Sequence, residues 1–255
     1  MKDSMLPFLF IAQIALIWSA VRRARKVGKI SSSQSTSLYA AVFLLALWTP
    51  ITAFLALSGI YTSPSVLESL PGLWVTMVPA VILFVPWIAS ASFRDSVNRV
   101  IDAVGLHNVV FFEGLRVLAI GGIVKGLRGE FSAELAFYLG IPDLIFGALS
   151  LWSGYQLYKG SLSLKWVLAL NAYGFLIIVP GGVVLMNLGI PGPWHIIHTT
   201  PDMVSMFQYP MALAPTAVVP IFVVINSFIV NYVLTHNKAK AVRISVTDSN
   251  LPLSA

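Results

Sequence analysis

Residues 38–59, LYAAVFLLALWTPITAFLALSG, decide the class of fold that this chain can adopt. The stretch has 22 residues and no charged side chain. A helix rises ~1.5 Å per residue, so about 20 apolar residues cross the hydrocarbon core of a bilayer. The stretch therefore predicts a membrane-spanning helix.

The composition of the whole chain indicates the same class. Of its 255 residues, 57% are hydrophobic and 10% are charged, and the mean hydropathy is +0.84. Soluble domains are about 25% charged, so this chain has too few polar residues to cover a globule, and it is too apolar to be disordered. Because it has no cysteine, thiol catalysis and thiolate metal sites are excluded. We therefore predict an all-α integral membrane protein.

Seven apolar segments are long enough to be transmembrane helices. The third is followed by an amphipathic stretch, residues 93–108, which we expect to be either an interfacial helix or a cytoplasmic extension of the third helix. The chain is expected to form a single transmembrane domain, residues 1–235, and a disordered cytoplasmic tail, residues 236–255. The predicted spans are residues 5–21, 38–59, 73–92, 109–124, 135–158, 166–188 and 201–234.

The distribution of basic residues predicts the orientation of this bundle. Cytoplasmic loops of membrane proteins are enriched in Lys and Arg. With seven spans and the N-terminus outside, twelve Lys and Arg residues lie on the cytoplasmic side and three on the other. If residues 109–124 did not span, the count would be only nine against six. We therefore predict seven spans with the C-terminus inside, and we attribute the net charge of +6 to orientation rather than to nucleic-acid binding.

The positions of proline and Trp-Ser suggest an internal duplication. Pro7 precedes Trp18 by eleven residues, and Pro142 precedes Trp152 by ten. This spacing favours a parallel repeat of three helices, one linker helix and three helices, an arrangement found in some transporters. Since proline is common in membrane helices, chance spacing is the alternative.

Two charged residues lie within the fourth predicted span. Glu113 and Arg116 are three residues apart, so they share a helix face and can pair. Charges inside the membrane are costly and usually face the interior of the bundle. We expect Arg116 to pair with an acid of its own helix or the next one. The two residues are candidates for a binding site, and a purely structural ion pair is the alternative.

Asp143 is the acidic residue of the fifth predicted span. It follows Pro142, and a proline with an acid beside it is typical of a helix start. A cationic partner would have to come from another helix, and Arg116, Lys125 and Arg128 are available. Asp143 is therefore either a binding residue or an ordinary acid of a first helical turn.

A cluster of polar residues precedes the seventh predicted span. Thr200-Pro201-Asp202 has the pattern of a helix start, which would leave the preceding histidines in the outer loop and without an assured third metal ligand. We therefore predict no metal site there and expect an aromatic and histidine surface or a gate to a cavity. The residues concerned are Trp194, His195, His198 and Asp202.

Prolines and glycines break the sixth and seventh predicted spans. Such breaks are tolerated where protein or a water-filled cavity covers the freed backbone groups. They predict a cavity among the fifth, sixth and seventh helices, with Asn171 and Gln208 as further binding candidates. We expect Asn226 and Asn231 to make hydrogen bonds between helices. The residues that form the breaks are Pro180, Gly181, Gly182, Pro210, Pro215 and Pro220.

Three functions are compatible with these patterns. The first is a transporter or channel for a small solute or ion. The second is a membrane-embedded enzyme that acts on a lipid or quinone at the outer interface, and the third is a non-catalytic subunit or assembly factor. No catalytic residue is assigned, and the cofactor is unknown. The expected partners are the lipid bilayer, a small solute or lipid ligand, and further copies in an oligomer, in a plasma membrane or bacterial inner membrane.

Overall fold

The computed structural model describes residues 4–69 and 73–249, with side chains for residues 4–68 and 77–236. All regular structure in these residues is helical. Five helices are long and apolar enough to cross a bilayer, and a bent pair of helices, Met77–Ala89 with Ala91–Val104, makes a sixth if it counts as one span. The predicted all-α, multi-pass membrane fold is therefore confirmed, and the chain contacts the lipid bilayer. The five helices are Leu6–Lys26, Ser32–Leu57, Ala133–Tyr158, Leu164–Gly189 and Ala214–His236.

The helical segments follow one another with short connections, and several spans are composite. One 3₁₀ segment, Gly114–Ala119, joins two α-helices, and two π-helical segments, Ile177–Gly182 and Ala214–Val218, adjoin others. In chain order the α-helices are α1 (Leu6–Lys26), α2 (Ser32–Leu57), α3 (Pro64–Ser69), α4 (Leu73–Ala89), α5 (Ala91–Val104), α6 (Leu106–Glu113), α7 (Ile120–Leu127), α8 (Ala133–Tyr138), α9 (Gly140–Tyr158), α10 (Leu164–Leu176), α11 (Val183–Gly189) and α12 (Val219–Ser249).

The second span begins earlier than the sequence predicted. Ser31 caps α2, because its hydroxyl accepts from the amide of Gln34 (3.2 Å) and the Gln34 side chain accepts from the amide of Ser31 (3.0 Å). This reciprocal capping box satisfies two free backbone donors. Residues 32–37 are consequently helical rather than part of a loop.

A bend of 109° separates α4 from α5. Ser90 interrupts the helix and caps α5 through the amide of Phe93 (3.2 Å). The Arg94 guanidinium then turns back and donates to the carbonyl oxygens of Trp87 (2.9 Å) and Ile88 (2.7 Å), which the bend leaves free. Because α5 leaves the axis of α4 so sharply, it is not a straight extension of that span, and its buried residues pack against α1 and α2.

The segment Leu106–Leu127 runs antiparallel to the span that follows it. Three glycines of α9 define the register, because a Cβ placed on any of them would contact the segment Leu106–Leu127. Gly154 faces Phe111, Gly147 faces the backbone of Val117, and Gly140 faces Ile123. The contact therefore continues from α6 through the 3₁₀ segment to α7, along nearly the whole length of α9.

The seventh predicted span begins later than expected. Residues 201–213 form a short 3₁₀ helix, Met203–Phe207, and turns, and the regular helix starts at Ala214. Pro201, Pro210 and Pro215 explain the difference, since proline has no backbone N–H and disfavours the helical conformation of the residue before it. The predicted boundary at residue 201 is therefore wrong.

The helix Ala214–His236 is the centre of the bundle. Of its most apolar 18 residues, 61% are buried, against 22–33% in the other four spans. The backbone of α12 is described as far as Ser249, residues 250–255 lie outside the described residues, and the disorder of the tail stays a prediction. The internal duplication also stays a prediction.

Candidate functional site

Arg116 and Asp143 form an ion pair between neighbouring helices. Nε of Arg116 donates to Oδ1 of Asp143 at 2.5 Å, and Nη2 contacts the same oxygen. The Arg116 side chain is 1% exposed and that of Asp143 is 14% exposed. The expected pairing of Arg116 with an acid is therefore confirmed. Asp143 also lies in the first turn of α9, as its Pro-Asp pattern predicted.

Three further helices complete a buried polar cluster around this guanidinium. Nη2 of Arg116 donates to the carbonyl oxygen of Gly174 in α10 (3.3 Å), and Nη1 lies 3.7 Å from Oε2 of Glu113 in α6. We assign the amide orientation of Asn226 in α12 from its neighbours. Its nitrogen then donates to Asn171 (2.9 Å) and Glu113 (3.3 Å), and its oxygen accepts from Arg116 (3.1 Å).

Aromatic rings cover the remaining face of the guanidinium. Its central carbon lies 4.1 Å from the ring centroid of Phe146 and 5.8 Å from that of Phe222. Cation–π attraction to a buried cation contributes about 2 kcal/mol. Gly174 allows this packing, because a Cβ there would come within 2.4 Å of the Phe146 ring. The guanidinium of Arg116 is thus enclosed by close-packed side chains.

A cavity of about 760 Å³ begins at the Arg116–Asp143 pair. It extends between α7 and the two π-helical segments, past Val179 and Gly182 on one side and Pro215 on the other. The sequence predicted a cavity at these two helix breaks, and it predicted that Asp143 or Asn171 lines it. Asp143 lies in the wall, whereas Asn171 is buried behind it and bonds to its own helix and to Asn226.

The wall of the cavity is overwhelmingly apolar. Of its 37 described lining residues, six carry polar side chains, and four of those six lie at the end where α1 begins and α7 ends. An apolar cavity of this size with a few polar groups is typical of a site for a drug-sized organic molecule. The six are Ser4, Arg116, Lys125, Arg128, Glu130 and Asp143.

Gly121 and Gly122 keep part of this space open. Both lie on α7 in the cavity wall, and a Cβ placed on either one would meet no atom within 4 Å. By contrast, Gly126 on the same helix is packed, since its Cβ would lie 2.4 Å from that of Ala136. Two of the α7 glycines therefore leave volume to the cavity instead of serving helix contact.

The cavity reaches the lateral surface of the protein. Met5, Met77 and Ile120 line it and are also exposed on the outside of the bundle. Large apolar side chains at the mouth suit contact with hydrocarbon rather than with water. The basic residues Lys125 and Arg128 lie at one end of the opening.

The outer-loop candidates lie elsewhere. The rings of His195 and His198 pack against each other with centroids 4.5 Å apart, and neither they nor Trp194 are among the residues that line the cavity. Asp202 caps the 3₁₀ helix through the amide of Val204 (2.9 Å), and together with Gln208 it borders a second depression. Within the described ranges, no three His, Asp or Glu side chains are grouped so that they could hold a metal ion.

Sequence reasoning missed two parts of the site. Asn226 was assigned only a helix contact, although it joins Glu113, Arg116 and Asn171. Its position as a polar residue within an apolar span was the available signal, but its partners depend on how α12 is rotated. The open space beside Gly121 and Gly122 could not be predicted, because the sequence does not distinguish a glycine packed against a neighbour from one that borders a cavity.

Comparison with protein-family models, with curated proteins and with solved structures finds no match, so the function is inferred from this geometry alone.

Proposed function

We propose that this protein is a seven-span membrane transporter whose cavity binds a lipophilic molecule with one polar group. The observation that carries the proposal is the apolar cavity that ends at Arg116 and Asp143. The apolar walls would hold the body of the ligand, and the partly exposed Asp143 carboxylate would meet its polar group. The lateral mouth would admit the ligand from the bilayer.

The antiparallel register of Leu106–Leu127 with α9 supports the seventh span. Three segments of 8, 6 and 8 residues give a length of roughly 36 Å at ~1.5 and ~2.0 Å per residue. Its first end lies beside the loop after α9, which we predict to be cytoplasmic, since His107 packs on Tyr158. Its second end lies with the outer loops, since Glu130 borders the same depression as Glu68 and Asp202.

The other two functions have less support. An enzyme would need an acid, base or nucleophile beside the ligand, and the outer histidines do not line the cavity. A structural subunit has no evident use for an open cavity with unpacked glycines, because interiors usually close to dense packing.

A bulky side chain in the cavity tests ligand binding even while the ligand is unidentified. Gly122→Trp would fill space that is open in the structure, so we expect a folded protein that loses its ligand. The measurement is organic extraction of the protein purified from native membranes, followed by mass spectrometry of the extracted molecules. We expect at least one compound that is stoichiometric in the wild type and reduced about tenfold in the variant.

Leu127→Trp is the matched control, since Leu127 lies on the same helix, is 70% exposed and does not line the cavity. It should retain the compound. Equal amounts of every extracted molecule in the wild type and both variants would overturn the proposed function.

A further inference from the structure

The buried cluster contains more acid than base. Glu113 and Asp143 are carboxyl groups, Arg116 is the single guanidinium, and Asn171 and Asn226 are neutral. Among the described side chains, the charged groups that face Glu113 are Arg116 on its own segment and Asp143 on α9, while α10 and α12 present the two asparagines. With both acids ionised, the cluster would have a net charge of −1 in a largely buried place. An uncompensated buried charge costs several kcal/mol. The cluster is therefore expected to bind about one additional positive charge.

The geometry distinguishes the two acids. Asp143 accepts from two nitrogens of Arg116, which is the arrangement of an ionised carboxylate. Glu113 lies 3.7 Å from the guanidinium, beyond a good hydrogen bond, and its Oε1 atom is buried without any partner. A neutral carboxylic acid tolerates such surroundings better than a carboxylate does. Glu113 is therefore the acid that holds a proton.

We infer that the cluster binds one exchangeable proton on Glu113, and that the cavity ligand is a lipophilic cation whose charge replaces that proton. When the cation reaches Asp143, Glu113 releases H⁺, so the total charge of the cluster and its ligand is unchanged. The cation part of this inference rests on the proposed function, whereas the proton on Glu113 does not.

The charges at the mouth of the cavity do not oppose a cation strongly. Lys125 lies 3.8 Å from Glu130, which offsets its charge, and Arg128 is exposed and therefore screened by water and salt. Deeper in the cavity, the wall includes the ring of Phe222, whose face attracts a cation. At the inner end the wall presents Arg116 and Asp143 as a pair, so the proton that Glu113 releases is what balances the charge of an entering cation.

Infrared spectroscopy counts the protonated carboxyl groups directly. In the purified protein at neutral pH, we expect the C=O band of one protonated acid in an apolar environment, and this band should shift when glutamate is labelled with ¹³C at its side-chain carboxyl. Glu113→Gln should remove the band, since Asp143 and Arg116 then balance each other. Asp95→Asn, at an acid that is 48% exposed, is the control and should leave the band unchanged.

Each alternative result has a defined meaning. A wild-type protein without the band would overturn the proton site, and a band insensitive to the glutamate label would place the proton on Asp143 and overturn the assignment to Glu113. Because the label is read in the wild-type protein, this test does not depend on the folding of any variant.

Two probes of the same shape and opposite charge test the ligand class. Tetraphenylphosphonium should bind and release about one proton per molecule, measured with a pH indicator in weak buffer. Its dissociation constant should rise about tenfold for each pH unit below the titration of the site, as expected for one-for-one exchange. Tetraphenylborate should bind at least tenfold more weakly. Glu113→Gln should bind the cation at least tenfold more weakly and should release no proton, because its neutral cluster has no proton to exchange.

Binding of tetraphenylborate in preference to the cation, or cation binding without proton release in the wild type, would overturn the exchange. If that happened while the Gly122→Trp variant still lost its extracted ligand, the proposed function would stand and the cation inference would fall. If the infrared band were present but Gly122→Trp changed nothing, the proton site would stand without the transporter.

Discussion

At the scale of single residues, Arg116 has the most partners of the buried charged side chains that the structure describes. It contacts Asp143, Gly174 and Asn226 on three other helices and Glu113 on its own segment. Removal of one member of a buried ion pair leaves the other charge unpaired and costs about 3–5 kcal/mol. We therefore expect Arg116→Ala to lower the melting temperature in detergent strongly. We expect Arg116→Lys to recover only part of the loss, because lysine lacks the planar, two-pronged geometry.

The matched control is the exposed pair of Arg99 and Asp95, which has a comparable Nε–Oδ2 distance of 2.6 Å and side chains 50% and 48% exposed. Exposed pairs contribute about 1 kcal/mol or less, so Arg99→Ala should shift the melting temperature little. A melting temperature that Arg116→Ala leaves unchanged would mean that the cluster does not support the fold.

Asp143 is the member of the cluster best placed to meet a ligand. It is partly exposed and lies in the cavity wall. Asp143→Asn keeps an oxygen that can accept from Arg116 and removes the charge, so the protein should fold. A hydrogen bond to a charged group contributes about 1.5–3 kcal/mol, so the amount of co-extracted ligand should fall at least about tenfold. Full retention of the ligand, with Asp95→Asn as control, would show that Asp143 serves only the ion pair.

The residue scale also shows how far the sequence could predict the site. Arg116 and Asp143 stand out as charges in apolar segments, and the cost of leaving them alone predicts that they pair. Asn171 was a binding candidate but lies behind the wall, and Gln208 is exposed and borders the second depression. Whether a polar residue faces a cavity depends on how its helix is rotated about its own axis. That rotation is determined by packing against residues that are distant in the sequence.

At the scale of elements, proline positions predicted the helix breaks but not the shape of each break. Pro180 and Pro215 lie in π-helical turns, whereas Pro50 lies within the continuous helix α2. The last span starts at Ala214 and not at Pro201 because several successive prolines disfavour regular helix in residues 201–213. A single proline is tolerated in a helix when neighbours satisfy the freed carbonyl groups, and sequence does not show those neighbours.

The contact between α9 and the segment before it depends on glycine at Gly147. A Cβ there would lie 2.5 Å from the backbone nitrogen of Val117 and 2.9 Å from the carbonyl carbon of Arg116, and backbone cannot move aside as a side-chain tip can. We therefore expect Gly147→Ala to destabilise the protein by about 1–3 kcal/mol, as overpacking does. Gly121→Ala is the control, because its Cβ would meet open space. Thermal unfolding in detergent measures both variants, and equal melting temperatures would contradict this close contact.

At the scale of the whole molecule, the two ends of the bundle have different chemistry. The start of α1 shares the cavity rim with Lys125 and Arg128. At the opposite end, Asp102 of α5 accepts from Tyr232 (2.6 Å), near the end of the central helix. This arrangement agrees with the charge count, which assigns twelve of the fifteen basic residues outside the membrane core to that second end. Both observations agree with the proposed crossing of the chain between Asp102 and Lys125.

Single cysteines can test that crossing, since the chain has none of its own. With seven spans and the N-terminus outside, Arg128→Cys should react with an impermeant maleimide in intact cells, and Ser161→Cys should react only after permeabilisation. Both positions are exposed in the structure, so slow labelling could not be attributed to burial. Ser4→Cys and Ser33→Cys are the references for the outside and the inside. If Leu106–Leu127 returned to the side on which it began, Arg128→Cys would be protected and Ser161→Cys would be labelled. That exchange would leave an even number of spans and would contradict the seventh span of the proposed transporter.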